Sequence, residues 1–172
     1  MAHISAQMEL DCSLEEVLRA LTDPASFACF PGVSCLSLDD QTTHCEQVLD
    51  LPLIGARKQA LVVSVESMHQ TAETTWLSFS SCGALLSLSG CWRLQAASHR
   101  VHAQLTLGYT LSQELQRQAM EALRRRGPLS IRSDADAILA RAMDDSFQAQ
   151  FSTDVEKYQE NLRQRIEGRL QP

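Results

Sequence analysis

The stretch that decides the fold is DADAILARAMDDSFQAQFSTDVEKYQENLRQRIEGRL, residues 134–170. Its apolar residues recur three or four positions apart, with charged residues between them. This spacing predicts one long amphipathic helix with a single apolar stripe. The stripe consists of Leu139, Met143, Phe147, Phe151, Val155, Tyr158, Leu162 and Ile166. A stripe of this length needs an extended apolar surface to lie against.

The middle of the chain supplies such a surface, because it consists of short alternating runs separated by turn residues. The predicted strands span residues 33–38, 43–51, 57–68, 72–80, 84–94 and 101–109. Short connections between consecutive strands indicate antiparallel hairpins. Gly90 interrupts an inward-facing run and predicts a bend or a bulge. A curved sheet closed by one long helix usually leaves a hollow between them.

The start of the chain predicts one strand and two small helices. Residues 2–10 alternate between apolar and polar side chains, as a half-buried strand does. Ser13 and Glu16 have the spacing of a capping box, which begins a helix. Asp23-Pro24 ends that helix and begins a short second one, which carries Phe27 and Phe30 and ends at Pro31-Gly32.

A further helix is predicted between the last strand and the long helix. Helical spacing returns at about 112–126 and stops at Gly127-Pro128. A polar link at 130–133 follows, with Ser133 as the expected N-cap of the long helix and Asp134 and Asp136 in its first turn. No repeat or domain boundary is visible, so residues 1–172 are expected to form one domain.

The composition excludes several classes of protein. Of the 172 residues, 44% are hydrophobic and 21% charged, which is ordinary for a soluble domain. A net charge of −6 argues against nucleic acid as a partner, since phosphate contacts need a basic surface. We find no secretory signal and no apolar run long enough to span a bilayer. We therefore expect a cytoplasmic protein.

The cysteines do not form a recognisable metal or redox motif. The chain has six, with no C-x-x-C pair and no ligand spacing with histidine. Scattered cysteines of this kind are usually reduced, buried and apolar in character. The sequence also lacks a P-loop, a G-x-S-x-G elbow and an H-E-x-x-H helix. Neither a metal nor a cofactor is predicted.

The order of elements resembles the helix-grip fold of the START-like, or SRPBCC, superfamily. Residues 14–33, LEEVLRALTDPASFACFPGV, are similar to the E-x-V-W-x-x-L-x-D-P … F-x-P-G-V segment of bacterial members. These members include polyketide cyclase-like proteins and proteins similar to an accessory subunit of carbon monoxide dehydrogenase, and Leu18 stands where they often have tryptophan. Many relatives run almost directly from the last strand into the final helix, whereas this chain inserts residues 112–133. The resemblance implies an α+β fold with about seven curved antiparallel strands.

The resemblance also implies a cavity between the sheet and the long helix, which members use for lipids, sterols, polyketides or other hydrophobic molecules. The expected partner is therefore a hydrophobic small molecule. The alternative is that the same side chains form a solid core. Trp92 and Tyr109 each carry a polar group that needs a partner, either a ligand or a backbone carbonyl. The candidate lining residues are Phe27, Phe30, Leu77, Phe79, Leu88, Trp92, Leu105, Leu107, Tyr109, Phe147 and Phe151.

Two other functions remain open at this stage. A cyclase-like or hydrolase-like enzyme would need a charged group inside the cavity, and the residues to map are Glu46, Glu73, Arg93 and His102. His44 is a further candidate, but its strand phase is opposite to the apolar one or ambiguous. The sequence does not predict which of these side chains, if any, points inward.

A surface interaction is the remaining alternative. Basic residues concentrate in the inserted segment and could contact an anionic lipid surface or an acidic partner, with Leu115, Met120 and Leu123 inserting. Otherwise this helix packs on the domain with solvated arginines. The basic residues are Arg117, Arg124, Arg125, Arg126 and Arg132. The oligomeric state is not predicted.

Overall fold

A computed structural model describes residues 2–39, 42–51, 54–126 and 135–168. Within these residues the chain forms a seven-stranded antiparallel sheet with the order β1-β7-β6-β5-β4-β3-β2. The strands are β1 (Ala2–Leu10), β2 (Val33–Asp39), β3 (Thr42–Leu51), β4 (Gly55–Gln70), β5 (Thr74–Gly83), β6 (Leu86–Ala97) and β7 (Arg100–Leu111). The predicted strands are confirmed, although several ends differ by two or three residues because pairing with the neighbouring strand sets them.

The helices also follow the predicted order. They are α1 (Leu14–Thr22), a 3₁₀ helix (Pro24–Cys29), α2 (Gln113–Arg126) and α3 (Ala135–Gly168). The capping box is confirmed, since Ser13 Oγ accepts from Glu16 N at 3.3 Å and Ser13 N donates to Glu16 Oε2 at 2.8 Å. Asp23 caps the Pro24–Cys29 helix by accepting from Ala25 N at 3.0 Å. Ser133 and Asp134, predicted to cap α3, lie outside the described residues.

The long helix α3 covers the concave face of the sheet. Every residue of its predicted stripe is buried. Near its C-terminal end, Asn161 Nδ2 donates to Cys29 O at 2.9 Å and Arg165 Nη2 pairs with Asp23 Oδ2 at 2.8 Å. These contacts fix α3 against the segment that carries Phe27 and Phe30. None of the described helices is long and apolar enough to cross a membrane.

Of the two alternatives for Gly90, a bend or a bulge, the structure excludes the bulge. Gly90 pairs in regular register with Phe79 on one side and Leu107 on the other. The register shifts instead between Cys35 and Ser37 in β2 and between Val65 and Ser67 in β4. A Cβ at position 90 would lie 2.3 Å from Phe79 Cζ, so the glycine makes room for that ring.

The cysteines are all free thiols, but they are less uniformly buried than predicted. Cys12 and Cys45 are buried, whereas Cys29, Cys35 and Cys91 are half-buried and Cys82 is exposed. Cys82 is the last residue but one of β5. No group of three or more potential metal ligands occurs in the described part of the chain.

Candidate functional site

A narrow apolar cavity lies between the concave face of the sheet, the Pro24–Cys29 helix and α3. The cavity has a volume of about 40 Å³, and the space around it out to its open mouth is about 500 Å³. The cavity therefore admits a thin apolar group as it stands, and a bulkier one requires side chains to move. Its lining residues are Phe27, Phe30, Val33, Gln47, Leu61, Val63, Phe79, Ser81, Leu88, Leu105, Leu107 and Tyr158.

The predicted lining residues separate into two groups. The structure brings Phe27, Phe30, Phe79, Leu88, Leu105 and Leu107 together around the cavity. It places Leu77, Trp92, Tyr109, Phe147 and Phe151 in the buried core, outside this lining. For these residues the solid-core alternative describes the geometry, since they fill the space beneath α3.

Aromatic contacts explain why the second group leaves no space. The Tyr109 and Phe151 ring centroids are 4.6 Å apart, and the Phe147 and Phe151 centroids are 6.3 Å apart. Burial, with a smaller contribution from Asp144, raises the pKa of Tyr109. The earlier half of α3 is thus packed on the sheet through aromatic rings. The cavity lies farther along α3, beside Tyr158.

The polar groups of the cavity are not the ones predicted. Ser81 is buried, and its Oγ has no hydrogen-bond partner among the described residues. Gln47 is 1% exposed, and its Oε1 accepts from Gln59 Nε2 at 2.8 Å. The lining therefore presents a hydroxyl without a partner among the described residues, and such a group is costly when buried.

The orientation of Gln47 is set by its neighbour on β4. Gln59 Oε1 accepts from Leu85 N at 2.9 Å and from Leu86 N at 3.1 Å, so its amide is fixed. Gly83 permits this arrangement, because a Cβ there would lie 2.4 Å from Gln59 Oε1. Because Gln59 Nε2 donates to Gln47 Oε1, the amide nitrogen of Gln47 points away from Gln59. The inward position of Gln47 between Cys45 and Leu49 was a readable sequence signal for a buried polar group.

Tyr158 supplies the remaining polar group of the lining. Its ring centroid lies 5.6 Å from that of Phe30 and 6.3 Å from that of Trp92. Burial is the main cause that raises the pKa of Tyr158 far above its ordinary value. The phenol is consequently neutral at physiological pH. Trp92, for which a ligand or a backbone carbonyl was considered as the partner, faces Tyr158.

A more polar groove adjoins the cavity on the side of β3. It is lined by Pro31, Gly32, Gln47, Val48, Leu49, Asp50, Leu51, Gln150, Phe151, Asp154 and Lys157. The groove has a volume of about 250 Å³. Burial raises the pKa of Asp154, while its hydrogen bond from Gln150 acts in the opposite direction. Gln47 belongs to both linings and marks where the apolar cavity meets the polar groove.

The charged residues that catalysis would require do not line the cavity. Glu46 is on the outer face of β3, where its carboxylate pairs with Lys58 Nζ at 3.2 Å. Glu73 and Arg93 are exposed, and His44 and His102 also lie outside the lining. Among the described lining residues, Tyr158 alone has a titratable side chain. The enzyme alternative required a charged side chain inside the cavity, and these residues do not supply one.

The arginine-rich helix α2 offers little for insertion into a membrane. Leu115 is fully buried, and Met120 and Leu123 pack against the core. Arg117 forms ion pairs with Glu114 and Glu121 on the same helix. Arg124 and Arg125 are exposed, the side chain of Arg126 is not among those described, and Arg132 lies outside the described residues. This arrangement fits the packed helix with solvated arginines.

Comparisons with known proteins establish the fold. No protein-family model matches the sequence, nor does any curated protein. Among solved structures, the Zhui aromatase/cyclase from Streptomyces sp. R1128 is similar with a TM-score of 0.62 at 11% identity, covering 99% of this chain and 96% of the other. A protein from Thermus thermophilus has a TM-score of 0.57 at 14% identity, with 97% and 98% covered.

A conserved protein from Geobacillus kaustophilus is also similar, with a TM-score of 0.56 at 11% identity and with 97% and 96% covered. At such low identity these likenesses concern the fold alone. The coverage extends over nearly the whole chain, which agrees with the observed order of strands and helices. The chain thus has the START-like helix-grip fold predicted from its sequence.

Proposed function

We propose that this protein binds a hydrophobic small molecule, lipid-like or polyketide-like, in the cavity between the sheet and α3, without covalent chemistry. The observation that carries the proposal is the unfilled apolar cavity beside Tyr158. Burial of apolar ligand surface contributes roughly 25 cal/mol per Å², so each 100 Å² removed from water supplies about 2.5 kcal/mol. Apolar contact would be the main source of affinity.

The ligand we propose also carries a hydrogen-bonding oxygen at one end. Ser81 Oγ has no partner among the described residues, and Ser81 and Gln47 both line the cavity. A ligand carbonyl or hydroxyl would accept from or donate to the Ser81 hydroxyl and remove the cost of leaving it unpaired. The groove beyond Gln47 gives a polar group of the ligand access to water. An amphipathic molecule with a thin apolar body fits this combination.

Binding is favoured over catalysis by the chemistry of the lining. Its described residues include no carboxylate, imidazole or amine, and the raised pKa of Tyr158 keeps the phenol protonated at neutral pH, so that it does not accept a proton as a general base. The likeness to an aromatase/cyclase supports a scaffold able to enclose a polyketide-like molecule. It supplies no reacting group to this chain.

The proposal is tested with cis-parinaric acid, a thin fluorescent fatty acid. We expect the wild-type protein to bind it, and Val63→Phe to weaken binding at least tenfold because the ring fills the cavity. The matched control is Leu36→Phe, since Leu36 is 68% exposed and outside the lining. Circular dichroism melting verifies that both variants fold.

Native mass spectrometry of protein purified from its source provides the second measurement. A co-purifying lipid-like mass that Val63→Phe loses and Leu36→Phe retains supports the proposal. Equal affinity for cis-parinaric acid in both variants would place binding outside the cavity. The absence of both a bound mass and probe binding in the wild-type protein would overturn the function itself.

A further inference from the structure

We infer that Cys35 and Cys45 form a dithiol site, which peroxides oxidise reversibly to an intramolecular disulfide. The two residues are direct partners across the β2–β3 ladder. Their sulfur atoms lie 3.4 Å apart. This inference rests on the contact between the two thiols and does not depend on the proposed ligand.

The backbone geometry suits a disulfide. Directly opposed residues of antiparallel strands have Cα atoms about 4.5–5.5 Å apart, within the range that a disulfide spans. A bond length of about 2.05 Å requires the sulfurs to approach by little more than 1 Å. Cys35 lies on the edge strand, immediately before the register shift between Cys35 and Ser37. One partner of the pair is therefore not held by strands on both sides.

The two thiols differ in access and in hydrogen bonding, which assigns their roles. Cys45 is 1% exposed and donates its hydrogen bond to Cys35 Sγ. Cys35 is half-buried and donates to Pro24 O at 3.2 Å. Burial and the neighbouring Cys35 raise the pKa of Cys45 to about 12, so Cys45 retains its proton. Cys35 is the more exposed of the two thiols, so it is the thiol that an oxidant reaches.

The chemistry needs one equivalent of hydrogen peroxide as the oxidant. Cys35 loses its proton, its thiolate attacks a peroxide oxygen and the O–O bond breaks, which gives a sulfenic acid and a hydroxide that takes up the Cys35 proton as the first water. The Cys45 sulfur then attacks the Cys35 sulfur and the S–O bond breaks. The departing hydroxide takes the Cys45 proton and leaves as water. In sum, two thiols and one peroxide give one disulfide and two waters, with both sulfurs oxidised and both peroxide oxygens reduced.

The remaining cysteines provide internal controls. Cys82 is exposed, so its modification reports that the reagent has reached the protein. Cys29 is half-buried and near enough to Cys35 for their charges to interact, which makes it the competing partner. No described cluster adds a third metal ligand to the pair. The site is therefore read as a dithiol and not as a metal centre.

The test begins with the folded wild-type protein, treated with hydrogen peroxide and then with an alkylating agent. Digestion before aspartate cuts at Asp39 and Asp40, which separates Cys35 from Cys45. We expect the two peptides to remain linked, with a mass lower by about 2 Da than the sum of their thiol forms, and dithiothreitol to release them. The inference is overturned if Cys82 is modified while Cys35 and Cys45 remain thiols.

Two variants separate the competing pairings. Cys29→Ser should keep the link, whereas Cys45→Ser should abolish it and leave Cys35 as a sulfenic acid that dimedone traps. A link that Cys29→Ser abolishes would assign the disulfide to Cys29 and overturn the inference. Because the first measurement uses the wild-type chain, a folding defect in a variant does not remove the test.

Phenylarsine oxide offers an independent probe, because its arsenic bridges two nearby thiols and releases water. We expect one equivalent to bind the reduced wild-type protein and to block Cys35 and Cys45 from alkylation. Cys91→Ser is the matched control, since the half-buried Cys91 thiol donates to the backbone oxygen of Trp92 at 3.6 Å. Failure of the reagent to protect Cys35 and Cys45 would contradict the inference.

Discussion

At the scale of single residues, Gln59 contributes most clearly to stability. It is buried, and its amide oxygen accepts from two backbone amides, Leu85 N and Leu86 N. Gln59→Met removes the acceptor and leaves both amides unpaired in the interior. We expect the free energy of unfolding to fall by about 2–3 kcal/mol, as measured by urea denaturation.

The control for this substitution is Gln104→Met on β7. Gln104 is partly exposed, and its Nε2 donates to Ser5 Oγ at 3.5 Å near the surface. The expected change is within about 0.5 kcal/mol. If the free energy of unfolding fell equally in the two variants, the hydrogen bonds of Gln59 would contribute no more to stability than those of a surface glutamine.

Strand alternation identified which residues face inward, but not which of them border empty space. Phe79 and Trp92 share the inward phase of neighbouring strands, yet only Phe79 lines the cavity. The difference arises from α3, whose Tyr158 ring occupies the space in front of Trp92. Alternation within one strand carries no information about a side chain that a distant helix brings in.

At the scale of elements, the ion pair between Arg165 and Asp23 joins α3 to the Pro24–Cys29 helix. The two side chains are 28% and 29% exposed, so solvent screens them only partly. Arg165→Met keeps the aliphatic stem and removes the charge. We expect a loss of about 1–2 kcal/mol in the free energy of unfolding, measured by thermal or urea denaturation.

Arg163 on the same helix provides the comparison. Its closest carboxylate contact, with Glu160, is 3.8 Å long and within one turn of the helix. Arg163→Met should therefore change stability by less than about 0.5 kcal/mol. A larger effect from Arg163→Met than from Arg165→Met would mean that the link between the two helices is not the stabilising contact.

Helices were easier to predict than the ends of strands. The Ser13 capping box and the Asp23-Pro24 pair are local sequence signals, and each begins a helix as predicted. Strand β4 spans Gly55–Gln70 and is longer than the predicted 57–68, because it pairs with β3 and β5. Its length therefore depends on residues that are distant in sequence. The bulge considered for Gly90 was wrong for the same reason, since this glycine makes room for a ring from the neighbouring strand.

At the scale of the whole molecule, Gly90 controls how much of the cavity is free. A methyl group there would meet the Phe79 ring at 2.3 Å, and that ring borders the cavity. We expect Gly90→Ala to push the ring into the cavity and to weaken cis-parinaric acid binding about tenfold, measured by fluorescence titration. Adding Phe79→Ala to Gly90→Ala should restore binding.

Gly168→Ala is the control, because no atom lies within 4 Å of the added methyl group. It should bind the fatty acid as the wild-type protein does. Unchanged binding in Gly90→Ala would show that Phe79 does not limit the space. The order of elements was predictable from the sequence. The volume of the cavity was not, because it depends on how many side chains from different elements pack against one another.

The burial of both tyrosines has a consequence for alkaline solutions. The chain has two, Tyr109 and Tyr158, and burial raises the pKa of each. Because the folded state raises the pKa of these phenols, their contribution to the free energy of unfolding is complete below the ordinary tyrosine pKa of about 10. The contribution is lost as the pH rises above that value. Ultraviolet absorbance near 295 nm should accordingly detect tyrosinate only when base unfolds the chain.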